Sequence, residues 1–135
     1  MRTTPSTVSG GAPLNLDFED GTLEDWVAEG EEFSGEPVRS VATSSAVTGQ
    51  EGERWVSSGD TLTYLATGRL TSRPFTVDQP YASFRVAGGA LKDTRVELVR
   101  ADGDSVFFEI SGYGRPGLRP VVVDLRPHMG REIYV

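Results

Sequence analysis

Three carboxylates lie close together near the start of the chain, at Asp17, Glu19 and Asp20. Calcium is bound in proteins by several oxygen ligands, which a group of carboxylates can supply. The same residues are also typical of a solvent-exposed turn, because Asp side chains accept hydrogen bonds from the nearby backbone and Gly21 suits a turn. The pattern therefore leaves two interpretations open, a metal site and a solvated turn.

Aromatic and arginine side chains form a second group of candidates. Proteins bind sugars with exposed aromatic rings, which stack on the sugar, and with a few polar groups. Trp55, Tyr64 and Tyr113 fall near predicted loops, where a ring would be accessible. Arg69 and Arg85 fall on the outward phase of predicted strands and could donate hydrogen bonds to hydroxyl groups. The alternatives are that these rings belong to the core and that these arginines only solubilise the surface.

The sequence offers no coherent catalytic constellation. His128, the only histidine, lies in a Pro-His-Met-Gly turn without a nucleophile motif nearby, which argues against a Ser-His-Asp triad. The early carboxylates crowd on one turn, whereas glycoside hydrolysis needs two carboxyl groups that flank a substrate cleft. We therefore expect a protein that is not an enzyme.

Composition sets the class of protein. The 135 residues suit one domain with a real core, and 16 Gly and 8 Pro favour short strands and turns. The net charge of −7 argues against nucleic acid as a partner, since phosphate binding needs a basic face. Nine acidic residues and one basic residue fall in residues 1–36, which predicts a solvated acidic face. There is no cysteine, which excludes disulfides and thiolate metal sites, and no apolar run approaches membrane-spanning length.

Alternation of apolar and polar residues predicts the strands that must position these candidates. Ala82, Phe84 and Val86 share one face of the clearest strand, which Gly88-Gly89 ends. Leu14, Leu16 and Phe18 alternate in the same way and predict a first strand. Further strands or extended segments are predicted near residues 26–30, 38–41, 53–56, 61–77, 94–100, 104–110, 118–125 and 131–135, with a phase slip at Arg73-Pro74. The residues predict an all-β, antiparallel β-sandwich, as a jelly roll, over 14–135, preceded by a disordered linker over 1–13.

The hairpin around Ala101-Asp102-Gly103 allows a prediction of register. A three-residue loop ending in a left-handed Gly103 sets Leu98 opposite Val106 and Val96 opposite Phe108, with all four apolar residues on one face. A two-residue turn would set Leu98 opposite Phe107 instead. We therefore predict the three-residue loop.

Five segments together resemble a known family. They are residues 16–26 (LDFEDGTLEDW), 66–77 (ATGRLTSRPFTV), 81–89 (YASFRVAGG), 94–99 (TRVELV) and 121–131 (VVVDLRPHMGR). In this order they are similar to the galactose-binding-like β-sandwich module that occurs beside family 32 glycoside hydrolases, the levanase and fructanase type, and in secreted planctomycete proteins. The resemblance covers about residues 14–135. It departs from the family at residues 90–93 (ALKD), where members usually carry a third glycine followed by His-Pro-Gly.

The resemblance implies a non-catalytic, carbohydrate-binding-like accessory module of an extracellular or periplasmic protein. Its partners would be a polysaccharide or oligosaccharide and a neighbouring domain of a larger chain. It also implies a structural calcium, with Glu19 as a ligand. Family members continue past the position of Val135 to a final acidic strand, so this chain resembles a truncated domain that lacks its last strand and leaves residues 131–135 as an open edge. The alternative function is a structural or assembly module that packs on a neighbouring domain or dimerises through that edge.

Overall fold

The structure, a computed structural model, describes residues 14–30, 38–39, 54–56 and 68–135. The linker predicted at 1–13 lies outside them, and so does Tyr64. The described part is all-β, as predicted. Its elements are the strands β1 (Trp26–Gly30), β2 (Val38–Arg39), β3 (Arg54–Trp55), β4 (Gly68–Ser72), β5 (Phe75–Thr76), β6 (Tyr81–Gly88), β7 (Arg95–Arg100), β8 (Ser105–Ser111), β9 (Arg115–Asp124) and β10 (Glu132–Tyr134), with a single 3-10 turn at Arg126–His128 before β10. None of the described elements is a helix long and apolar enough to cross a membrane.

All strand pairs in the described residues are antiparallel. The largest sheet has the order β5-β10-β7-β8, and the remaining pairs are β6-β9, β1-β4 and β2-β3. Ile133 of β10 lies opposite Phe75 on one side and Arg100 on the other. The prediction of an open edge at residues 131–135 is therefore wrong, because β10 fills the space between β5 and β7 and uses the hydrogen-bonding groups of both its sides.

The core lies between the β6-β9 pair and the four-stranded sheet. Its buried side chains come from both layers, from residues that adjoin their strands, and from the segment before β1: Leu14, Leu16, Phe75, Val77, Phe84, Val86, Leu98, Val121, Val123, Leu125 and Ile133. Phe84 of β6 meets Phe108 of β8 edge to face across this core, with ring centroids 6.3 Å apart. The alternation predicted for β6 is confirmed, since Phe84 and Val86 are buried and Ala82 packs against them. Two antiparallel layers around one apolar interior are consistent with a β-sandwich.

Residues 14–18 fill the core without forming a strand. Leu14, Leu16 and Phe18 are buried as predicted, but no ladder pairs them with a neighbour in the described residues. Phe18 has a φ of 64°, a left-handed conformation that a strand does not allow. Its ring stacks on Trp26 at 4.9 Å, and the Trp26 indole N–H donates to the Asn15 carbonyl oxygen over 2.8 Å. This segment is therefore an irregular stretch, held in place by its contacts with Trp26, rather than a first strand.

The phase slip predicted at Arg73-Pro74 corresponds to the point at which the chain passes from one sheet to another. Before it, β4 pairs with β1; after it, β5 pairs with β10. Buried Ser72 joins the two halves, because its backbone N–H donates to the Val135 carbonyl oxygen over 2.8 Å and its hydroxyl accepts the Val135 N–H over 3.0 Å. Pro74 lacks an N–H group, so it suits the point at which the chain leaves one ladder for another.

The predicted register of the β7-β8 hairpin is wrong. Leu98 lies opposite Phe108 and Val96 opposite Ile110, and the loop takes four residues, 101–104. The left-handed position belongs to Asp104, with a φ of 51°, instead of Gly103.

A bulge in β8 explains this difference. The register shifts between Leu98 and Val99, which leaves Phe107 without a partner across the ladder. The extra residue lets Phe108 face the core while Val106 stays 47% exposed. The predicted register would have placed Val106 opposite Leu98, in the interior.

Candidate functional site

An open cleft of about 580 Å³ lies where β7 begins and β8 ends, beside the first half of β9. It is lined by Lys92, Arg95, Glu109, Ile110, Ser111, Gly112 and Arg119. Most of these side chains are polar, and three of them are cations. A cleft with apolar and charged groups side by side can hold a small polar ligand.

Arg95 is already paired with carboxylates. Its Nε lies 2.5 Å from Glu97 Oε1 and 3.7 Å from Glu109 Oε2. Its Nη1 donates to the Lys92 carbonyl oxygen over 2.6 Å, which ties the loop before β7 to the strand. The hydrogen bond to Glu97 is the main reason that the pKa of Arg95 is raised above its ordinary value. Arg95 therefore forms part of the wall of the cleft and has little charge left to offer a ligand.

Arg119 has no such partner. It lies opposite Val86 on β9, in the same phase as the buried Val121 and Val123, so its side chain leaves the strand on the core side. Its Nε is buried and makes no hydrogen bond with any part of the chain that the structure describes. Its guanidinium carbon lies 4.9 Å from the centroid of the Tyr113 ring, within the range of a cation–π contact.

Tyr113 stands in the β8-β9 loop beside the cleft and is 37% exposed. Its hydroxyl group donates to the Gly117 carbonyl oxygen, and Arg119 lies over its ring, so the aromatic plane has two fixed contacts. The loop is held in turn by β6, since the Gly114 N–H donates to the Gly88 carbonyl oxygen over 2.8 Å. Gly112 must be glycine here, because a Cβ would lie closer than 3.0 Å to three backbone atoms of Gly88.

Of the predicted sugar-binding residues that the structure describes, only Tyr113 comes near this cleft. It does not line the cleft itself but follows Gly112 and contacts Arg119, which do. Arg85 lies on β6 opposite Pro120 and points to the other face of that sheet from Phe84. Arg69 lies on β4 opposite Glu29, and Trp55 lies on β3 opposite Val38. Apart from Tyr113, the described members of the predicted set are spread over three sheets and do not form one site.

Two carboxylates of the predicted calcium site accept hydrogen bonds from nearby residues of the same turn. Asp17 Oδ1 accepts the Glu19 N–H over 3.3 Å, and Asp20 Oδ1 accepts the Thr22 N–H over 2.7 Å and the Thr22 hydroxyl over 2.9 Å. Within residues 14–30, 38–39, 54–56 and 68–135, no three His, Cys, Asp or Glu side chains are grouped so as to hold a metal ion. Calcium binding at Asp17, Glu19 and Asp20 stays a prediction.

His128 packs against the β8 bulge. Its imidazole stacks on the Phe107 ring with centroids 3.9 Å apart. The contact fixes the connection between β9 and β10 on the edge strand β8, which is a structural use of both rings.

Three cleft cations were not predicted: Lys92, Arg95 and Arg119. Lys92 and Arg95 are ordinary surface residues in the sequence and carry no signal. Arg119 does carry a signal, because it alternates in phase with Val121 and Val123. A charged residue on the core-facing side of a strand indicates a position at the edge of the hydrophobic core.

Comparison with models of known protein families gives no match, and comparisons with curated proteins and with solved structures give none either.

Proposed function

We propose that this protein is a non-catalytic carbohydrate-binding module, an accessory part of a larger extracellular or periplasmic protein. The observation that carries the proposal is Tyr113, an aromatic ring that is 37% exposed and held in place next to Gly112 and Arg119, two residues that line a polar cleft. The resemblance to galactose-binding-like modules beside glycoside hydrolases supports the same class of ligand.

Binding would combine ring stacking with hydrogen bonds. A sugar has one apolar face of C–H groups, which stacks on an aromatic side chain, and hydroxyl groups around its edge. Ser111 and Glu109 line the cleft and offer a hydroxyl group and a carboxylate to such hydroxyl groups. Because the fixed loop holds Tyr113 in one orientation, little side-chain entropy is lost on binding. An open site with one ring gives weak affinity, which suits a module that only keeps a larger protein close to its polymer.

The assembly function through residues 131–135 is not proposed further. Glu132–Tyr134 already pair with β5 and β7, so a second copy could not add to this strand without displacing one of them.

The test is a comparison of two tyrosines. Affinity electrophoresis and calorimetric titration against fructans and other polysaccharides should detect binding by the unaltered protein and a loss of at least about fivefold for Tyr113→Ala. Tyr81→Ala is the matched control, because Tyr81 is 51% exposed and also has an arginine over its ring, Arg126 at 5.4 Å, but lies outside the cleft. Equal losses for both variants, or no retardation by any polysaccharide, would refute the proposal.

A further inference from the structure

The chain contains two Asp-Gly sequences, Asp20-Gly21 and Asp102-Gly103. An aspartate that precedes glycine can react with its own backbone, because the next backbone nitrogen lies within reach of the side-chain carboxyl group and glycine has no Cβ to obstruct it. The nitrogen attacks the carboxyl carbon and closes a five-membered succinimide ring. The two sequences are chemically alike, so a difference in their reactivity must come from the fold.

At Asp20-Gly21 the fold holds both reacting groups. Asp20 Oδ1 accepts the Thr22 N–H over 2.7 Å and the Thr22 hydroxyl over 2.9 Å. The Gly21 N–H donates to the Phe18 carbonyl oxygen over 3.0 Å. Closure of the ring would break these hydrogen bonds, so the turn opposes the reaction.

Asp102-Gly103 lies in a more open place. Residues 102–104 of the loop between β7 and β8 are exposed. No hydrogen bond to another described residue holds the Gly103 N–H. A Cβ at Gly103 would lie 3.9 Å from Ser105 Oγ, which is ordinary contact, so the loop is not tightly packed at this point. The backbone nitrogen is therefore accessible to the Asp102 carboxyl group.

Two arginines hold the Asp102 carboxylate. Arg100 Nη2 donates to Asp102 Oδ2 over 2.5 Å, and Arg131 Nη1 lies 3.4 Å from the same oxygen. The hydrogen bond from Arg100 is the main reason that the pKa of Asp102 is lowered, and the positive charges of Arg100 and Arg131 act in the same direction. Only a protonated carboxyl group can lose water when the ring closes, so the two arginines disfavour the reactive form.

We propose that Asp102 is a site of spontaneous isomerisation to isoaspartate through the Gly103 nitrogen, and that Arg100 and Arg131 slow this reaction. First a bond forms between Gly103 N and Asp102 Cγ, and the carboxyl hydroxyl group leaves as water with the amide proton. Water then adds to the succinimide. Cleavage between the nitrogen and the main-chain carbonyl carbon leaves isoaspartate, whereas cleavage at Cγ restores aspartate. The inference goes beyond the proposed carbohydrate binding and does not depend on it.

The product would alter the attachment of β10. Isoaspartate lengthens the main chain by one CH₂ group and shortens the side chain by one. The loop reaches the last strand twice, because Asp102 pairs with Arg131 just before β10 and the Tyr134 hydroxyl donates to Asp104 Oδ1 over 3.0 Å. A longer loop moves both carboxylates, so the isomerised chain should hold its central strand less firmly.

The experiment follows both Asp-Gly sequences in the full chain. The protein is incubated folded and in concentrated urea, and isoaspartate is located by peptide mapping and by methylation with an isoaspartyl methyltransferase. In urea the two sites should react at similar rates. In the folded protein Asp20 should react about two- to tenfold more slowly than Asp102, because its hydrogen bonds must break.

Four variants assign the rate at Asp102 to its neighbours. Arg100→Gln should raise it about two- to fivefold, as expected for the loss of an exposed ion pair, and Arg131→Gln should raise it less. Arg126→Gln is the matched control, because Arg126 pairs with Asp124, and it should leave the rate unchanged. Asp102→Glu keeps the charge but would need a six-membered ring, so isomerisation in the loop should disappear.

The outcomes test the site and the arginines separately. Absence of isoaspartate at Asp102 in the folded protein and in Arg131→Gln, with reaction in urea, would overturn the site. Reaction at Asp20 as fast as at Asp102 in the folded protein would do the same. Equal rates at Asp102 with and without each arginine would overturn their role. The urea midpoint shows whether each variant is folded; if Arg100→Gln is not, Arg131→Gln decides, because the Arg131 side chain is 55% exposed.

Discussion

Replacement of Ile133 by alanine tests the central position of β10. Ile133 is 1% exposed and lies between Phe75 and Arg100 in the largest sheet. The change removes three carbon atoms, which at about 0.8 kcal/mol each loses about 2.4 kcal/mol of burial. The cavity that remains raises the expected loss in the free energy of unfolding to about 2–5 kcal/mol. That is a large part of the 5–15 kcal/mol of a typical domain.

Urea unfolding followed by circular dichroism measures this loss. With a slope of about 1–3 kcal/mol per molar urea, a loss of ~3 kcal/mol lowers the midpoint by roughly 1–3 M. Ile133→Val should lie between the two proteins, at about 0.5–1.5 kcal/mol. Val122→Ala is the control, because Val122 is 67% exposed on β9 and its truncation should cost no more than about 0.5 kcal/mol.

The reasoning would be refuted if Ile133→Ala and Val122→Ala moved the midpoint equally. That result would mean that residue 133 is not enclosed and that residues 131–135 form an outer strand after all.

Two further changes test the loop and the surface charges. Gly112→Ala should destabilise the protein by about 1–3 kcal/mol, because the added Cβ would overlap the Gly88 backbone, and it should weaken any ligand binding that depends on Tyr113. Urea unfolding measures the first effect and titration with ligand the second. An unchanged unfolding midpoint would contradict the close approach of the Gly112 and Gly88 backbones. Arg126 holds the pKa of Asp124 down at about 2, chiefly through a side-chain hydrogen bond, so this pair should stabilise the fold fully above pH 3.8 and lose that contribution as the pH falls toward 2. A carboxyl NMR titration should show this midpoint and its rise in Arg126→Gln; the same midpoint in both proteins would rule out the pair as its cause.

Alternation of apolar residues predicted burial in two segments but a strand in only one of them. In β6, three alternating apolar residues sufficed, because nothing in that segment competes with the ladder. At Leu14, Leu16 and Phe18 the same alternation correctly predicted burial of the side chains but wrongly predicted a strand. There the left-handed Phe18 and the hydrogen bonds accepted by Asp17 and Asp20 replace strand pairing, and these are contacts that alternation does not encode.

The hairpin error and the incomplete site have related causes. The bulge at Phe107 turns Phe108 toward Phe84 in the opposite layer. Phe84 is distant in sequence, so the pattern of the hairpin alone does not indicate this contact. In the same way, Tyr113 could be recognised as a loop aromatic and Arg119 as a cation in a core phase, but neither pattern shows that the two side chains meet. Local patterns identify single residues, and the site depends on contacts between segments.

The central place of β10 also has a consequence for biosynthesis. The ribosome makes residues 132–134 after β5, β7 and β8. Until then β5 and β7 have no strand between them, and each leaves N–H and C=O groups unpaired along one side. The β7-β8 hairpin can form early, but the four-stranded sheet closes only when this last short strand inserts. Until residues 132–134 emerge, these unpaired edges leave the nascent protein open to aggregation.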